Sequence, residues 1–230
     1  MSELVKPLLI DHLVDASGHH HLPLDPEFPF VIKAFNYETL EPEVRLTWHN
    51  RLEIFFPIRG YGRFGMGEQV VDFSGGDLLV VDNMKINAVV SFEGTERLAV
   101  VIYFKVELFY SLGSALCDVG YLAPFYGLTE QAALTLRADN PDAVAMHAAL
   151  GRLFKCWFDS PGDQYFKIGC KTYLSEVLYL LSRALGASEL ARTEYRWRRE
   201  QAQRLGALVE YLAIITAIKS ASRRRQRWLG

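Results

Sequence analysis

The sequence predicts a mainly β domain, built as a barrel or sandwich, that is followed by a helical region. Between residues 31 and 104, short runs rich in β-branched and aromatic residues alternate with glycine and asparagine turns, which is typical of such architectures. After residue 140, apolar residues recur at three- and four-residue steps, which indicates amphipathic helices. Since 50% of the 230 residues are hydrophobic, the chain can bury a full core as one large or two small domains.

Residues 1–30 predict an extended N-terminal arm, because four prolines interrupt any regular pattern. The arm contains the tract His19-His20-His21. Three consecutive histidines project in different directions, so we interpret the tract as a solvated loop in preference to a metal site.

The β region divides into eight predicted strands separated by short turns. The strands are placed near residues 31–37, 44–49, 52–58, 62–66, 69–73, 78–82, 86–92 and 97–104. The turns are placed at Asn50-Arg51, Gly60, Gly67, Gly75-Gly76, Asn83 and Glu93-Gly94.

Residues 60–65 match the dinucleotide-binding pattern G-x-G-x-x-G. That pattern works only when a helix follows and places its N-terminus on the pyrophosphate. Here a tight turn and another strand follow, so we reject a nucleotide site.

Two helices are predicted, near residues 141–158 and from Phe166 to Gly186. Asn140-Pro141 and Ser160-Pro161 give start signals, a capping residue followed by proline at the first helical position. The second helix carries a wide apolar stripe, which pattern alone assigns equally to the core of the chain or to a dimer interface. The stripe comprises Phe166, Cys170, Tyr173, Leu174, Val177, Leu178, Leu181 and Leu185.

Composition and charge predict a cytoplasmic protein. No apolar run approaches the roughly 20 residues of a bilayer span, and the N-terminus lacks the pattern of a secretory signal. The three cysteines are odd in number and widely spaced, which favours reduced thiols. Residues 192–230 contain ten Arg or Lys and three Glu, so a basic segment follows an acidic one.

The stretch from Thr47 to Asn87 resembles the two motifs of the cupin barrel. His49, Glu53 and Gly60 have the spacing of the first motif, and Gly76-Asp77 and Asn87 fall at the second. In metal-using cupins the ligands are three His and one Glu, and the resemblance places them here at Thr47, His49, Glu53 and Asn87. Hydroxyl and amide oxygens are poor ligands for transition metals. We therefore expect a cupin-type jelly-roll β-barrel without metal or cofactor, whose interior is a small-molecule pocket.

The order of elements resembles the sensor half of an AraC-family transcription regulator. The resemblance rests on the arm, the cupin stretch, Ile102-Tyr103-Phe104, residues 120–126, the helical pair and residues 204–212, which resemble the first helix of the family's DNA-binding domain. It implies an arm (1–30), an effector-binding barrel (31–126), a helical dimerisation region (127–186) and a linker with a truncated DNA-binding start (187–230). It also implies a homodimer that contacts DNA only through helix-turn-helix units. Because 18 residues follow Leu212, we expect no operator recognition by this chain alone.

The resemblance implies that one face of the predicted strands lines the barrel interior. Strand alternation places a set of polar and aromatic side chains on that face. Among them, Arg45 could bind a carboxylate or vicinal hydroxyls, and the aromatic members could stack on a ring. The expected effector-binding residues are Arg45, Thr47, His49, Glu53, Phe55, Asn87 and Tyr103.

Two alternatives remain open. One is a metal-dependent cupin enzyme, a dioxygenase or isomerase, in which His12 or His147 would add a third ligand to His49 and Glu53. The other is a truncated subunit that silences a full-length regulator by forming mixed dimers.

Overall fold

The computed structural model describes residues 14–37, 46–83, 85–109, 120–126 and 135–185, together with residues 193, 196, 197, 200 and 201. Within these residues an antiparallel sheet is followed by two helices. The strands are β1 (Phe30–Asn36), β2 (Leu52–Met66), β3 (Gln69–Ser74), β4 (Leu78–Val81), β5 (Asn87–Phe104) and β6 (Thr135–Leu136). The helices are α1 (Ala143–Asp159) and α2 (Phe166–Leu185), and short 3-10 turns lie at Val106–Phe109 and Ala123–Phe125.

The strand order is β1-β5-β2-β4-β6, with β3 paired to β2. Every strand pair is antiparallel, as the short turns between β-rich runs predict. The mainly β fold with following helices is therefore confirmed, whereas closure of the sheet into a jelly-roll barrel stays a prediction.

Two predicted turns, at Gly60 and at Glu93-Gly94, are wrong. Both positions lie inside long strands, because β2 runs through Gly60 and β5 runs through Gly94. The two glycines have φ of +95° and +120°, a backbone conformation that glycine adopts without steric cost. The β2–β5 register shifts on either side of Arg59, so the strands bend together without separating.

The predicted strand at 44–49 is also corrected. Residues 44 and 45 lie outside the described part of the chain, and residues 46–49 form no continuous strand. Thr47 instead makes an isolated bridge with Asn87, and Trp48 makes one with His19 of the arm. The bend at Asn50-Arg51 follows directly and leaves this segment too short for a ladder of its own.

The continuous course of β2 bears out the rejection of a nucleotide site. Residues 60–65 lie within this strand, and a turn at Gly67 leads into β3 rather than into a helix. The helix that a phosphate-binding loop needs is therefore not present there.

Both helices form where the periodicity predicts them: α1 begins at Ala143, two residues after the predicted start, and α2 begins at Phe166 as predicted. Asp142 occupies the N-cap position of α1, while Asn140 accepts a hydrogen bond from the backbone N–H of Asp142 through its side chain. Asn140-Pro141 thus forms the turn before the helix and does not cap it. In the turn before α2, the backbone carbonyl of Ser160 accepts a hydrogen bond from the backbone N–H of Asp163.

The apolar stripe of α2 belongs largely to the core of the chain. Cys170, Leu174, Val177, Leu178 and Leu181 are all fully buried within the single chain. On the opposite face Ile168 and Tyr179 are exposed. A dimer contact through α2 would have to use that exposed face.

The turn between β3 and β4 holds the sheet against the helical region. The Asp77 carboxylate accepts bonds from the backbone of Ser74 (2.9 Å) and Ala138 (2.8 Å) and from Arg137 (3.0 Å). His147 on α1 donates from Nε2 to the Gly76 carbonyl at 2.7 Å. The Gly-Asp pair therefore has a structural role in this chain.

The described cysteines Cys156 and Cys170 are free thiols whose sulfur atoms lie 3.6 Å apart. Burial is the main factor that raises the pKa of Cys170, to about 12. None of the described helices is long and apolar enough to cross a bilayer.

The bend at Gly60 predicts a sharp difference between two alanine substitutions. A Cβ at Gly60 would lie 2.6 Å from both the Glu93 carbonyl oxygen and the Phe92 ring, whereas Gly67 has positive φ and open space. Gly67→Ala should lower the free energy of unfolding by about 1–2 kcal/mol through backbone strain. Gly60→Ala should cost at least about 1 kcal/mol more because of the clash. Urea denaturation measures both, and equal losses would contradict the bent-strand geometry.

Candidate functional site

A group of polar side chains is buried between the strands and the arm. We call it the inner polar cluster, and it consists of His20, Thr47, His49, Arg51, Glu53, Asn87 and Tyr103. Each of these residues is at most 8% exposed. Burying so many polar groups is costly unless they are bonded to one another or to a ligand, so the partners of each group decide what the cluster can do.

The His49–Glu53 pair forms the centre of the cluster. His49 Nδ1 lies 2.8 Å from the Arg51 carbonyl oxygen, which can only accept, so Nδ1 carries a hydrogen. His49 Nε2 lies 2.8 Å from Glu53 Oε2. That contact requires one more hydrogen, held either by the imidazole or by the carboxyl group. Both residues are therefore satisfied by the protein itself.

Thr47 and Asn87 extend the network beyond the His49–Glu53 pair. Their backbones exchange two hydrogen bonds of 2.8 Å, and Thr47 Oγ1 donates to Asn87 Oδ1 at 3.0 Å. Asn87 Nδ2 donates to the Lys85 carbonyl and lies 3.5 Å from His49 Nε2. The structure thus brings together the four positions at which metal-using cupins carry ligands, here with a hydroxyl and an amide at two of them.

Arg51 is a member of the cluster that the sequence interpretation missed. Its Nη2 donates to the His20 carbonyl at 3.0 Å, and its guanidinium carbon lies 4.7 Å from the centre of the Tyr103 ring. Burial lowers the pKa of Arg51, while the neighbouring Tyr103 and Glu53 oppose that shift. Its Nε is buried without a hydrogen-bond partner. Side chains two residues apart in a strand share a face, so alternation from Glu53 indicates that Arg51 faces the same way. The sequence interpretation places a turn at Asn50-Arg51 instead.

His20 enters the cluster from the arm and was also missed. Its ring lies 5.6 Å from Tyr103 and 6.3 Å from His49 between centroids, and its Nε2 is buried without a partner. Burial lowers the pKa of His20 to about 3, with repulsion from Arg51 as the next cause. The imidazole is therefore neutral at pH 7. The sequence tract gave no sign of which of its three histidines turns inward.

The two remaining predicted residues differ from the rest. Phe55 is buried among the rings of Tyr37, Phe64, Phe73 and Phe92, with centroid distances of 5.3–6.3 Å. Its surroundings are those of a core residue. Arg45 lies outside the described residues. A role for either in binding an effector stays a prediction.

A cleft of about 260 Å³ opens between the arm and the end of β5. Arg51 lines it from the inside and Lys105 from the rim, so two cationic side chains face the same space. His19, Leu22 and Leu24 line the arm side. The cleft combines apolar walls with positive charge, which suits a small anion with a hydrocarbon portion.

Comparison with solved structures finds AraC-like regulators and cupin-domain proteins. The AraC-like transcriptional activator CuxR is 10% identical over 76% of this chain and 58% of its own, with a TM-score of 0.43. ToxT from Vibrio cholerae, bound to an unsaturated fatty acid, is 8% identical over 74% of this chain and 59% of its own, with a TM-score of 0.42. A cupin 2 conserved barrel domain protein from Rhodopseudomonas palustris is 20% identical over 36% of this chain and 57% of its own, with a TM-score of 0.28.

The matched regions span less than two thirds of each of these three proteins. No family model and no curated protein matches the chain. At these TM-scores and identities, the similarities do not assign a family or an activity.

The shared hydrogen in the His49–Glu53 pair predicts how substitutions at Glu53 behave. Glu53→Ala leaves His49 buried without its partner and should cost about 3–5 kcal/mol of unfolding free energy. Glu53→Gln can donate an amide hydrogen to His49 Nε2 and should cost less than about 2 kcal/mol. Chemical denaturation of both variants provides the measurement. Equal losses would show that the carboxylate charge, and not the bond, is what the fold requires.

Proposed function

We propose that this chain is the effector-binding and dimerisation part of an AraC-type transcription regulator. The proposal starts from the order of motifs in the sequence, and the inner polar cluster supports it. The predicted division into arm, barrel, helical region and basic C-terminal segment belongs to the same proposal. The expected effector is a small molecule that binds non-covalently.

The observation that carries the proposal is that two side-chain nitrogens of the inner polar cluster are buried without a hydrogen-bond partner. His49, Glu53, Thr47 and Asn87 satisfy one another, but Arg51 Nε and His20 Nε2 have no partner. A buried polar group without a hydrogen bond costs roughly 1–3 kcal/mol. A ligand oxygen placed beside these two groups would recover that cost, so binding there is favoured.

The charges beside these two unpartnered nitrogens favour an anionic effector. Arg51 and Lys105 both line the 260 Å³ cleft, and Arg51 Nε is buried without a hydrogen-bond partner. A carboxylate accepts well from a guanidinium, and the cleft walls formed by Leu22 and Leu24 suit an apolar tail or ring. We therefore propose Arg51, with His20, as the binding residues to add to the predicted set.

A metal-dependent cupin enzyme is the second candidate function, and the closeness of His49 and Glu53 is the observation that favours it. Thr47 and Asn87 occupy the other two ligand positions of the motif with poor donors. His147, one of the two histidines considered for a third ligand, is bonded to Gly76 on the helical side of the sheet, and His12 lies outside the described residues. Stoichiometric iron or manganese that is lost from a His49→Ala variant would establish the enzyme instead.

Effector binding is tested by a thermal-shift screen of aromatic acids, fatty acids and neutral sugars. We expect a selective rise in Tm with one class of carboxylate. Arg51→Gln should weaken binding of that ligand roughly 10- to 100-fold, the range for a hydrogen bond to a charged group. Arg59→Gln is the matched control, since Arg59 is exposed and pairs with Glu96.

The unliganded stability of Arg51→Gln, measured in parallel, separates misfolding from lost binding. Sugars that bind as well as acids, or an acid whose affinity Arg51→Gln leaves unchanged, would refute the anionic site. Binding that Arg45→Ala and Phe55→Ala abolish would restore the residue set predicted from the sequence.

Dimerisation is tested on the exposed face of α2. Ile168 and Tyr179 are eleven residues apart, about three helical turns, and so lie on the same face. We expect a dimer by analytical ultracentrifugation that Ile168→Lys/Tyr179→Lys converts to monomer without loss of helical content. Val144→Lys on α1, also an exposed apolar position, is the control. A dimer that survives the double substitution would place the interface elsewhere.

A further inference from the structure

Three side chains of the arm converge on one point outside the inner polar cluster. They are Asp15, His19 and His21, and one ligand atom from each lies within 4.8 Å of the other two. The extended backbone alternates here, so His19 and His21 lie on one side and His20 turns into the cluster. Consecutive histidines do project in different directions, as the sequence predicts, but the first and third project together.

One separation between these atoms matches the dimensions of a transition-metal site, and a second is shorter. Zinc–nitrogen bonds of about 2.0–2.1 Å place two ligands of a tetrahedron about 3.3 Å apart. His19 Nδ1 and His21 Nε2 lie 3.2 Å apart. His21 Nε2 and Asp15 Oδ2 are 2.6 Å apart, so the carboxylate would have to move outward by about 0.7 Å. Both side chains are substantially exposed and can make that adjustment.

The donor set has the chemistry that a late first-row divalent ion requires. Two imidazoles and a carboxylate are zinc ligands and leave one position for water, whereas magnesium and calcium prefer sites made of oxygen alone. Hydrogen bonds, first from Ser17 and then from His21, hold the pKa of Asp15 well below its usual range. Desolvation, followed by repulsion from His21, lowers the pKa of His19.

The backbone already holds the three residues in position. The Asp15 carboxylate accepts from the backbone N–H groups of Ser17 (2.8 Å) and His19 (3.0 Å), which closes the turn between them. The His19 ring packs 4.4 Å from the Trp48 ring, which limits its rotation. A preorganised donor set loses less entropy on binding an ion than a free histidine tract does.

We propose that Asp15, His19 and His21 form a binding site for one divalent ion of the zinc type, which rigidifies the part of the arm that pairs with the segment before His49. The arm contacts that segment through two backbone hydrogen bonds of 3.0 Å. The His20 N–H donates to the Trp48 carbonyl, and the Trp48 N–H donates to the Gly18 carbonyl. An ion bound across residues 15–21 would fix the arm's side of this contact. The site contains no residue of the inner polar cluster, although His19 and His21 also line the 260 Å³ cleft, and we expect the ion to bind without an effector.

The proposal is tested by titrating the full chain with Zn²⁺ alone in a calorimeter. We expect one saturable site per chain. His19→Ala, His21→Ala and Asp15→Asn should each raise the dissociation constant by at least about 10-fold, since loss of a direct ligand costs more than loss of an outer-shell partner. His147→Gln and Asp25→Asn are the controls, because they change a histidine and an exposed carboxylate outside the site.

Two further measurements keep the test independent of folding defects in the variants. Co²⁺ should give the visible absorption of a tetrahedral site in the wild type and lose it in His21→Ala, while circular dichroism without metal remains unchanged. Zn²⁺ should slow amide exchange at His20 and Trp48 in the wild type alone. Absence of saturable binding, binding that survives both histidine substitutions, or equal loss in His147→Gln would overturn the proposal.

Discussion

The pairing of β2 with β5 is the constraint on which the rest of the structure depends. These two strands form the longest ladder in the described sheet, and they place Glu53 opposite Tyr103 at one end and Met66 opposite Asn87 at the other. β2 bends at Gly60 and β5 bends at Gly94, so their ladder continues through the bend into both parts of the sheet. Glu53 and Tyr103 of the inner polar cluster lie at one end of the ladder and Asn87 lies at the other, and further aromatic rings pack around Phe55.

The inner polar cluster illustrates how a protein can bury charge while keeping a defined fold. The two members of the His49–Glu53 pair hydrogen-bond to each other, as do those of the Thr47–Asn87 pair. Burying these groups therefore costs little free energy and needs no ligand. Arg51 is only partly satisfied, by the His20 carbonyl and the Tyr103 ring. The arm therefore does more than cover the sheet, because it supplies a partner to the least satisfied charge in the cluster.

Hydrophobic periodicity was enough to predict most of the elements, since both helices and the strands at residues 69–73 and 78–82 lie where the pattern places them. Residues Gly60 and Gly94 could not be read correctly, because a glycine that ends a strand and one that bends it look the same in sequence. The positions grouped by the cupin spacing, Thr47 to Asn87, do come together. Arg51 was missed because it lies at a predicted turn, and His20 was missed because its burial depends on the course of the arm, which tertiary contacts set.

The position of β4 has a consequence for communication across the molecule. This strand has four residues and spans roughly 13 Å. Val81 at one end pairs with Glu53, and Leu78 at the other pairs with Leu136, next to the residues that hold Asp77. The strand therefore links the backbone beside Glu53 to the backbone beside Asp77. Because His147 of α1 bonds to Gly76 at that same end, one short strand joins the inner polar cluster to the first helix.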